Sequence, residues 1–158
     1  MKIQDILPKP VSAAINLLFQ SDDPDKEQEG HKQLKALANG GDMFAAACLG
    51  YACQFEDFDF YDLDAGKEYL QKSADAGNPL GQYYLGMMLY MGEKPFEEDK
   101  ILGNYYLNLA ETAGIEDARK LRDNLHKKLT PEEARKMMQK AKLVLFWETI
   151  KEPFQRKK

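Results

Sequence analysis

Small and apolar residues recur at intervals of three and four along most of this chain, in blocks broken by Gly, Pro, Asn and Asp. The clearest block puts Gly66, Tyr69, Leu70, Ser73, Ala74 and Gly77 on one side of a helix. Gly77 ends that helix, because glycine enters the left-handed conformation without a Cβ clash. Asn78 caps the next helix, and Pro79 fills its first position, where no amide donor is needed. The run Leu80–Met91 reads as a largely buried helix closed by Gly92 and Pro95. Further on, Thr130-Pro131-Glu132-Glu133 uses the same grammar: Thr130 caps, Pro131 opens the helix, and Glu133 returns a bond to the cap backbone. The pattern predicts helices at about 10–20, 24–39, 43–55, 63–76, 79–91, 98–113, 116–128 and 131–150.

The blocks repeat. Thirty-six residues before the Gly66 block, Gly30 matches Gly66, Leu34 matches Leu70, Ala38 matches Ala74, Gly41-Asp42 matches Gly77-Asn78, and Leu49-Gly50 matches Leu85-Gly86. Thirty-seven residues after it, Gly103 matches Gly66, Tyr106-Leu107 matches Tyr69-Leu70, and Ala113-Gly114 matches Ala76-Gly77. Asp62 and Asp99 precede their units at the same place. Each unit reads as helix, tight turn, helix. Glycine inside a helix costs about 1 kcal/mol against alanine. Its recurrence at 30, 66 and 103, and at 50 and 86, predicts close approach of helix backbones there. A single hairpin cannot bury both apolar faces, whereas a stack can. The fold class is therefore all-α: a short right-handed solenoid of repeats at about 27–62, 63–98 and 99–128, with capping helices at about 10–20 and 131–150 and a basic tail at 151–158. Val11, Ile15, Leu18 and Phe19 form the stripe of the N-terminal cap; Ala134, Met137, Met138, Ala141, Leu145 and Phe146 form that of the C-terminal cap, in which Trp147 either packs or anchors a partner.

In residue type and spacing the second unit resembles the Sel1-like repeat, a relative of the tetratricopeptide repeat. The motif is carried by Asp62, Gly66, Tyr69-Leu70, Ser73-Ala74, Gly77-Asn78, Gly81-Gln82, Leu85-Gly86, Met88-Leu89 and Gly92. The family usually has Ala where Gly66, Ser73 and Gly81 stand. The first unit has Gln33 at the aromatic place, and the third replaces the Leu-Gly pair by Arg122-Asp123, as an end unit facing water would. The resemblance spans about 27–128. It implies protein–protein interaction: relatives act as adaptors and scaffolds, and some small bacterial members neutralise toxins. A branch linked to β-lactam binding has paired cysteines in each repeat. This chain has only Cys48 and Cys53, so that activity is not carried over.

Composition refines the picture. The chain has 158 residues, 44% hydrophobic and 30% charged, enough for one ordinary domain without disulfides or metal. Cys48 and Cys53 lie five apart on one predicted helix, rotated away from each other, and read as small buried hydrophobes. No stretch of eighteen apolar residues exists to cross a membrane, and Asp5 and Pro8 spoil a secretory signal, so a cytoplasmic protein is expected. Residues 1–118 carry 9 basic against 21 acidic side chains, a net of −12; residues 119–158 carry 13 against 5, a net of +8. The acidic body would repel phosphates, so no nucleic acid is expected there. The basic residues from Arg119 to Lys142 stand at helical spacing and read as a solvated face or a phosphate or membrane contact.

Neither a cofactor nor enzymatic chemistry is expected, a hydrolase being the remote alternative. His31 and His126 sit in different units with no nucleophile at suggestive spacing; His31 reads as exposed, and His126 as a cation suited to a helix end. Asp57, Asp59, Asp62 and Asp64 lack the loop glycine and terminal Glu of a calcium loop. They belong to a segment, Phe55–Asp64, with five acids and four aromatics in ten residues. Either its rings pack between hairpins and its acids face water, or it contacts a basic partner through Phe55, Asp57, Phe58, Asp59 and Tyr61. In repeats of this kind the first helices line the concave face. Its polar positions here are Lys32, Lys35, Glu68, Gln71, Lys72, Asp75, Asn104 and Asn108. The expected partner is another protein, either a toxin domain with a basic surface or a component of a signalling or envelope pathway, bound by a monomer.

Overall fold

The structure, a computed structural model, describes residues 1–19, 22–137 and 139. They form helices α1 (Ile3–Ile6), α2 (Lys9–Phe19), α3 (Pro24–Asn39), α4 (Met43–Ala52), α5 (Leu63–Asp75), α6 (Pro79–Met91), α7 (Lys100–Thr112) and α8 (Glu116–His126), with α9 at 131–137, and no strand among the described residues. The C-terminal stripe beyond Met137, Trp147 and the basic tail lie outside the described residues. The capping grammar is realised: Asp42 Oδ1 accepts from the Ala45 amide at 3.1 Å, Asp62 Oδ1 from Ala65 at 3.0 Å, Asn78 Oδ1 from Leu80 at 3.0 Å, and Asp99 Oδ1 from Leu102 at 2.9 Å. Gly41, Gly77 and Gly114 close the three inter-helix turns with φ of 102°, 80° and 97°. At Thr130 the detail differs. Glu133 donates its amide to Thr130 Oγ1 at 3.2 Å, but its carboxylate accepts from the Thr130 hydroxyl at 3.2 Å rather than from the cap backbone.

From α2 to α8 each helix packs on its neighbours in sequence, and the second helices α4 and α6 also pack on each other. The crossings between units are where the glycines lie. A Cβ on Gly50 would sit 2.8 Å from the Gly66 carbonyl oxygen, and one on Gly66 2.9 Å from that of Gly50. The Gly86–Gly103 crossing is equally close, with clashes of 2.9 and 2.7 Å against the opposing carbonyls. At the first crossing, a Cβ on Gly30 would meet the Ala14 carbonyl at 2.8 Å. Ala14, Gly50 and Gly86 are thirty-six apart, so α2 occupies the place of a second helix belonging to a unit whose first helix is missing. That is how it caps the array.

Two further substitutions are coupled. Ser73 is fully buried and donates to the Met43 carbonyl at 2.7 Å, tying the second unit to the first. A Cβ on Gly81 would lie 2.7 Å from the Ser73 Cβ, so the serine fits only because glycine stands opposite.

The periodicity did not reveal residues 1–7. Ile3 packs against both the core cluster around Val11 and Leu80 and the one around Tyr90 and Ala118. The Met1 carbonyl accepts from the Glu116 amide at 3.1 Å, and Asp117 Oδ2 accepts from the Ile3 amide at 3.3 Å. The third unit has Ile115 where the others have Asp42 and Asn78, so α8 has no capping side chain. The N-terminal segment supplies an acceptor in its place, and thereby joins the first helices of the stack to the last pair.

Gly86→Ala and Gly103→Ala are each expected to lower the unfolding free energy by about 1–3 kcal/mol through overpacking. Alanine is the better helix former by about 1 kcal/mol. Urea unfolding checks this, and unchanged or raised stability would contradict the backbone approach.

Candidate functional site

Neighbouring first helices barely touch each other; α3 and α5 stand apart with α4 behind them. The gap is a groove of about 340 Å³ lined by residues of α3, α4, α5 and the segment joining the first two units. That segment is a closed loop. Its ends meet where the Asp62 amide donates to the Cys53 carbonyl at 3.0 Å. Inside it, successive turns are fixed by the Phe58 amide on the Phe55 carbonyl (3.2 Å) and the Tyr61 amide on the Phe58 carbonyl (3.0 Å).

The rings of the loop fill it. Phe58 and Phe60 stack at 4.7 Å, Phe55 meets Phe58 and Tyr51 edge-on, and Phe19 of α2 meets Phe55 and Phe58 edge-on. Tyr51 in turn stacks on Tyr84 of α6 at 4.4 Å. Phe55, Phe58 and Phe60 are half-buried, so most of the loop's aromatic surface is spent on its own packing. Tyr61, which lines the groove, is the exception at 39% exposed, and Phe19 of α2 is 51% exposed. The carboxylates Glu56, Asp57, Asp59, Asp62 and Asp64 are all exposed.

His31 is half-buried rather than exposed. Its ring lies parallel to Phe60 at 4.1 Å. One repeat later, Lys67 Nζ stands 5.7 Å from the centre of the Phe96 ring. The two pairs are thirty-six residues apart at both members, so the contact belongs to the repeat. Burial, with the charge of Lys35 second, pushes the His31 imidazolium below its ordinary value of 6.5. Asn104 holds the same register in the third unit. It is 6% exposed and lies 3.0 Å from His126 Nε2. Asn108, one turn on, accepts from Arg122, which also pairs with Glu111. Both amides expected on an open face are therefore covered by α8. Burial first, and the charge of Arg122 second, lowers the pKa of His126, which corrects its reading as a helix-end cation.

Of the remaining predicted positions, the groove gathers Lys35, Asp59 and Tyr61. Lys32, Glu68, Lys72 and Asp75 are exposed beyond it, and the Gln71 amide donates to Asp75 Oδ1 at 3.0 Å. Sequence reasoning missed His31, Cys53 and Tyr69 as groove residues, whereas Asp62 belongs to the acidic segment it singled out. Tyr69 stands four residues after Ala65 on α5 and donates to Asn39 Oδ1 of α3 at 3.2 Å, a bridge across the groove. The register of the repeat held that signal, since Tyr69 and Tyr106 are equivalent, but the motif alone assigned it to packing. Cys48 and Cys53 are free, and burial raises the thiols to about 12 and about 11, so neither is a nucleophile at neutral pH. No cluster of metal-ligating side chains occurs among the described residues.

The chain is similar in structure to a Sel1 repeat protein from Oxalobacter formigenes known from its crystal structure. The two share 23% sequence identity, the match covers 73% of this chain and 86% of that one, and the TM-score is 0.56. The fold is thus that of a Sel1-repeat solenoid. No protein-family model matches the chain, and no curated protein matches it significantly.

His31 is expected to titrate below 6.5 by NMR, and Phe60→Leu to move it back toward that value. Because the unfolded chain takes the proton first, the contribution of this group to stability is intact above 6.5 and falls as pH drops toward the folded pKa. A His31 titration above 6.5 would contradict the burial seen here.

Proposed function

We propose that this chain is a non-catalytic interaction module that grips a basic partner polypeptide on its first-helix side. A single observation carries the reading: the groove between α3 and α5 opens beside a rigid loop whose rings are packed and whose five carboxylates are exposed. Such a surface attracts cations from a distance and offers fixed apolar area on contact. The excess of acids over the first 118 residues extends the same field. The solenoid fold supports the reading, because stacked hairpins present extended surfaces rather than enclosed catalytic pockets. A finer form follows from the resemblance to small neutralising relatives: the chain acts as an immunity protein that occludes a basic toxin domain in the cytoplasm. The alternative is a regulatory adaptor, which would need the same face.

Affinity capture with the full chain from its native cells is expected to recover a protein with a basic surface. The double variant Asp57→Lys/Asp59→Lys, which leaves the Asp62 cap intact, is expected to reduce recovery at least about tenfold, as loss of steering and charge-assisted contacts would. Recovery unchanged by the double charge reversal, with helical content preserved, overturns the reading.

A further inference from the structure

The groove is lined by two tyrosines, two aspartates and one lysine over buried apolar residues. Tyr61, Tyr69 and Lys35 line it, the exposed Asp59 and Asp62 form its acidic rim, and the buried Leu49 and Cys53 form part of its floor. It is too small for a helix, which is about 10 Å across with its side chains. It is the right size for one long side chain. We propose that this pocket takes a single arginine side chain of the partner, and so sets the specificity of the interaction. The inference rests on the reading of the chain as a binder of a basic polypeptide.

The chemistry of the lining selects that occupant. A planar guanidinium packs against aromatic rings and pairs with carboxylates through a fork of donors, and Tyr61, Tyr69, Asp59 and Asp62 all line this pocket. Asp62 uses Oδ1 to cap α5, which leaves Oδ2 outside the cap. Asp59 is exposed. An acidic side chain would face two carboxylates and only one ammonium. An aliphatic one would strip water from the rim acids with nothing in return. Lys35 is the one element that opposes a cation, and it makes the proposal sharp, because its removal acts in opposite directions on the two kinds of ionic occupant.

The second junction shows the contrast. There the ring equivalent to Phe60, Phe96, is buried, and the chain's own Lys67 lies over its face. The corresponding place at the first junction holds His31, held below its usual pKa, so no resident cation stacks on the rings there at neutral pH.

The test is an NMR titration of the full chain with N-acetyl-arginine methylamide, and in parallel with the norleucine and glutamate analogues. The arginine probe is expected to give saturable millimolar shifts centred on Tyr61, Ala65 and Tyr69, with none from the other two. Asp59→Asn with Asp62→Asn, which keeps a capping side chain at the head of α5, is expected to weaken the arginine probe about tenfold, the effect of losing a charged hydrogen bond. Lys35→Met is expected to strengthen it. Equal shifts from all three probes, binding of the glutamate probe, or a Lys35→Met variant that binds arginine less well overturns the assignment. A silent arginine probe with capture that still depends on Asp57 and Asp59 removes the pocket and leaves the interaction reading standing. Probe binding with charge-indifferent capture does the reverse.

Discussion

The architecture depends on how closely one helix backbone can approach another at a single point in each repeat. Where α4 crosses α5 and α6 crosses α7, the carbonyl of one glycine occupies the space a Cβ on the other would need. Such contacts let whole helices come together along their length, so that Leu70, Leu85 and Leu107 become fully buried without long side chains bridging a gap. The cost is two helix-weakening residues per crossing, about 1 kcal/mol each. That cost is recovered only if the stack forms, so the glycines couple local helix stability to association between units. The first crossing uses Ala14 for one partner, and there the opposing Gly30 alone makes the room.

Capping fixes the register that brings these points together. Asp42, Asp62, Asn78 and Asp99 start helices at places set by the chain, and a positive-φ glycine precedes each second helix. The third unit keeps the glycine and loses the cap. Its polar substitutions then have to be satisfied from elsewhere, because buried polar groups without partners are costly. Arg122 finds Glu111 and Asn108, His126 finds Asn104, and the amide of Glu116 finds the Met1 carbonyl. Tyr90 Oη alone is buried with no partner among the described residues. A unit that looks degenerate in sequence is thus held by a polar layer and by an N-terminal strap that ordinary nearest-neighbour stacking would not provide.

The helices, their caps, the close glycine contacts and the stacking of hairpins were legible because each depends on residues three, four or thirty-six apart. What was not legible depends on pairs with no fixed spacing. α1 is four residues long and has no period to detect. Asn104 and Asn108 have the register of an open face, but Arg122 and His126 reach over them from a helix whose sequence gives no sign of it. Ser73 and Gly81 each look like a mild departure from the family pattern, and only their contact shows that one permits the other. The groove falls in the same class: three of its predicted members come together, yet the tyrosine that bridges it was hidden in the repeat motif.

The two junctions differ in helix length and in where their connecting rings go. In repeat register α6 runs about one turn beyond α4, ending at Met91 rather than at the position equivalent to Ala52. The longer helix leaves fewer residues to span to Asp99, and the short connection drives Phe96 into the core. At the first junction the helix stops at Ala52, and Gln54 stands where the longer α6 has the buried Tyr90. The released residues form the closed loop, whose rings satisfy one another and whose last ring, Tyr61, is held out over the gap between α3 and α5. The open groove is thus a by-product of helix length: one turn fewer in α4 converts a core-filling connector into an acidic lip of mutually packed rings.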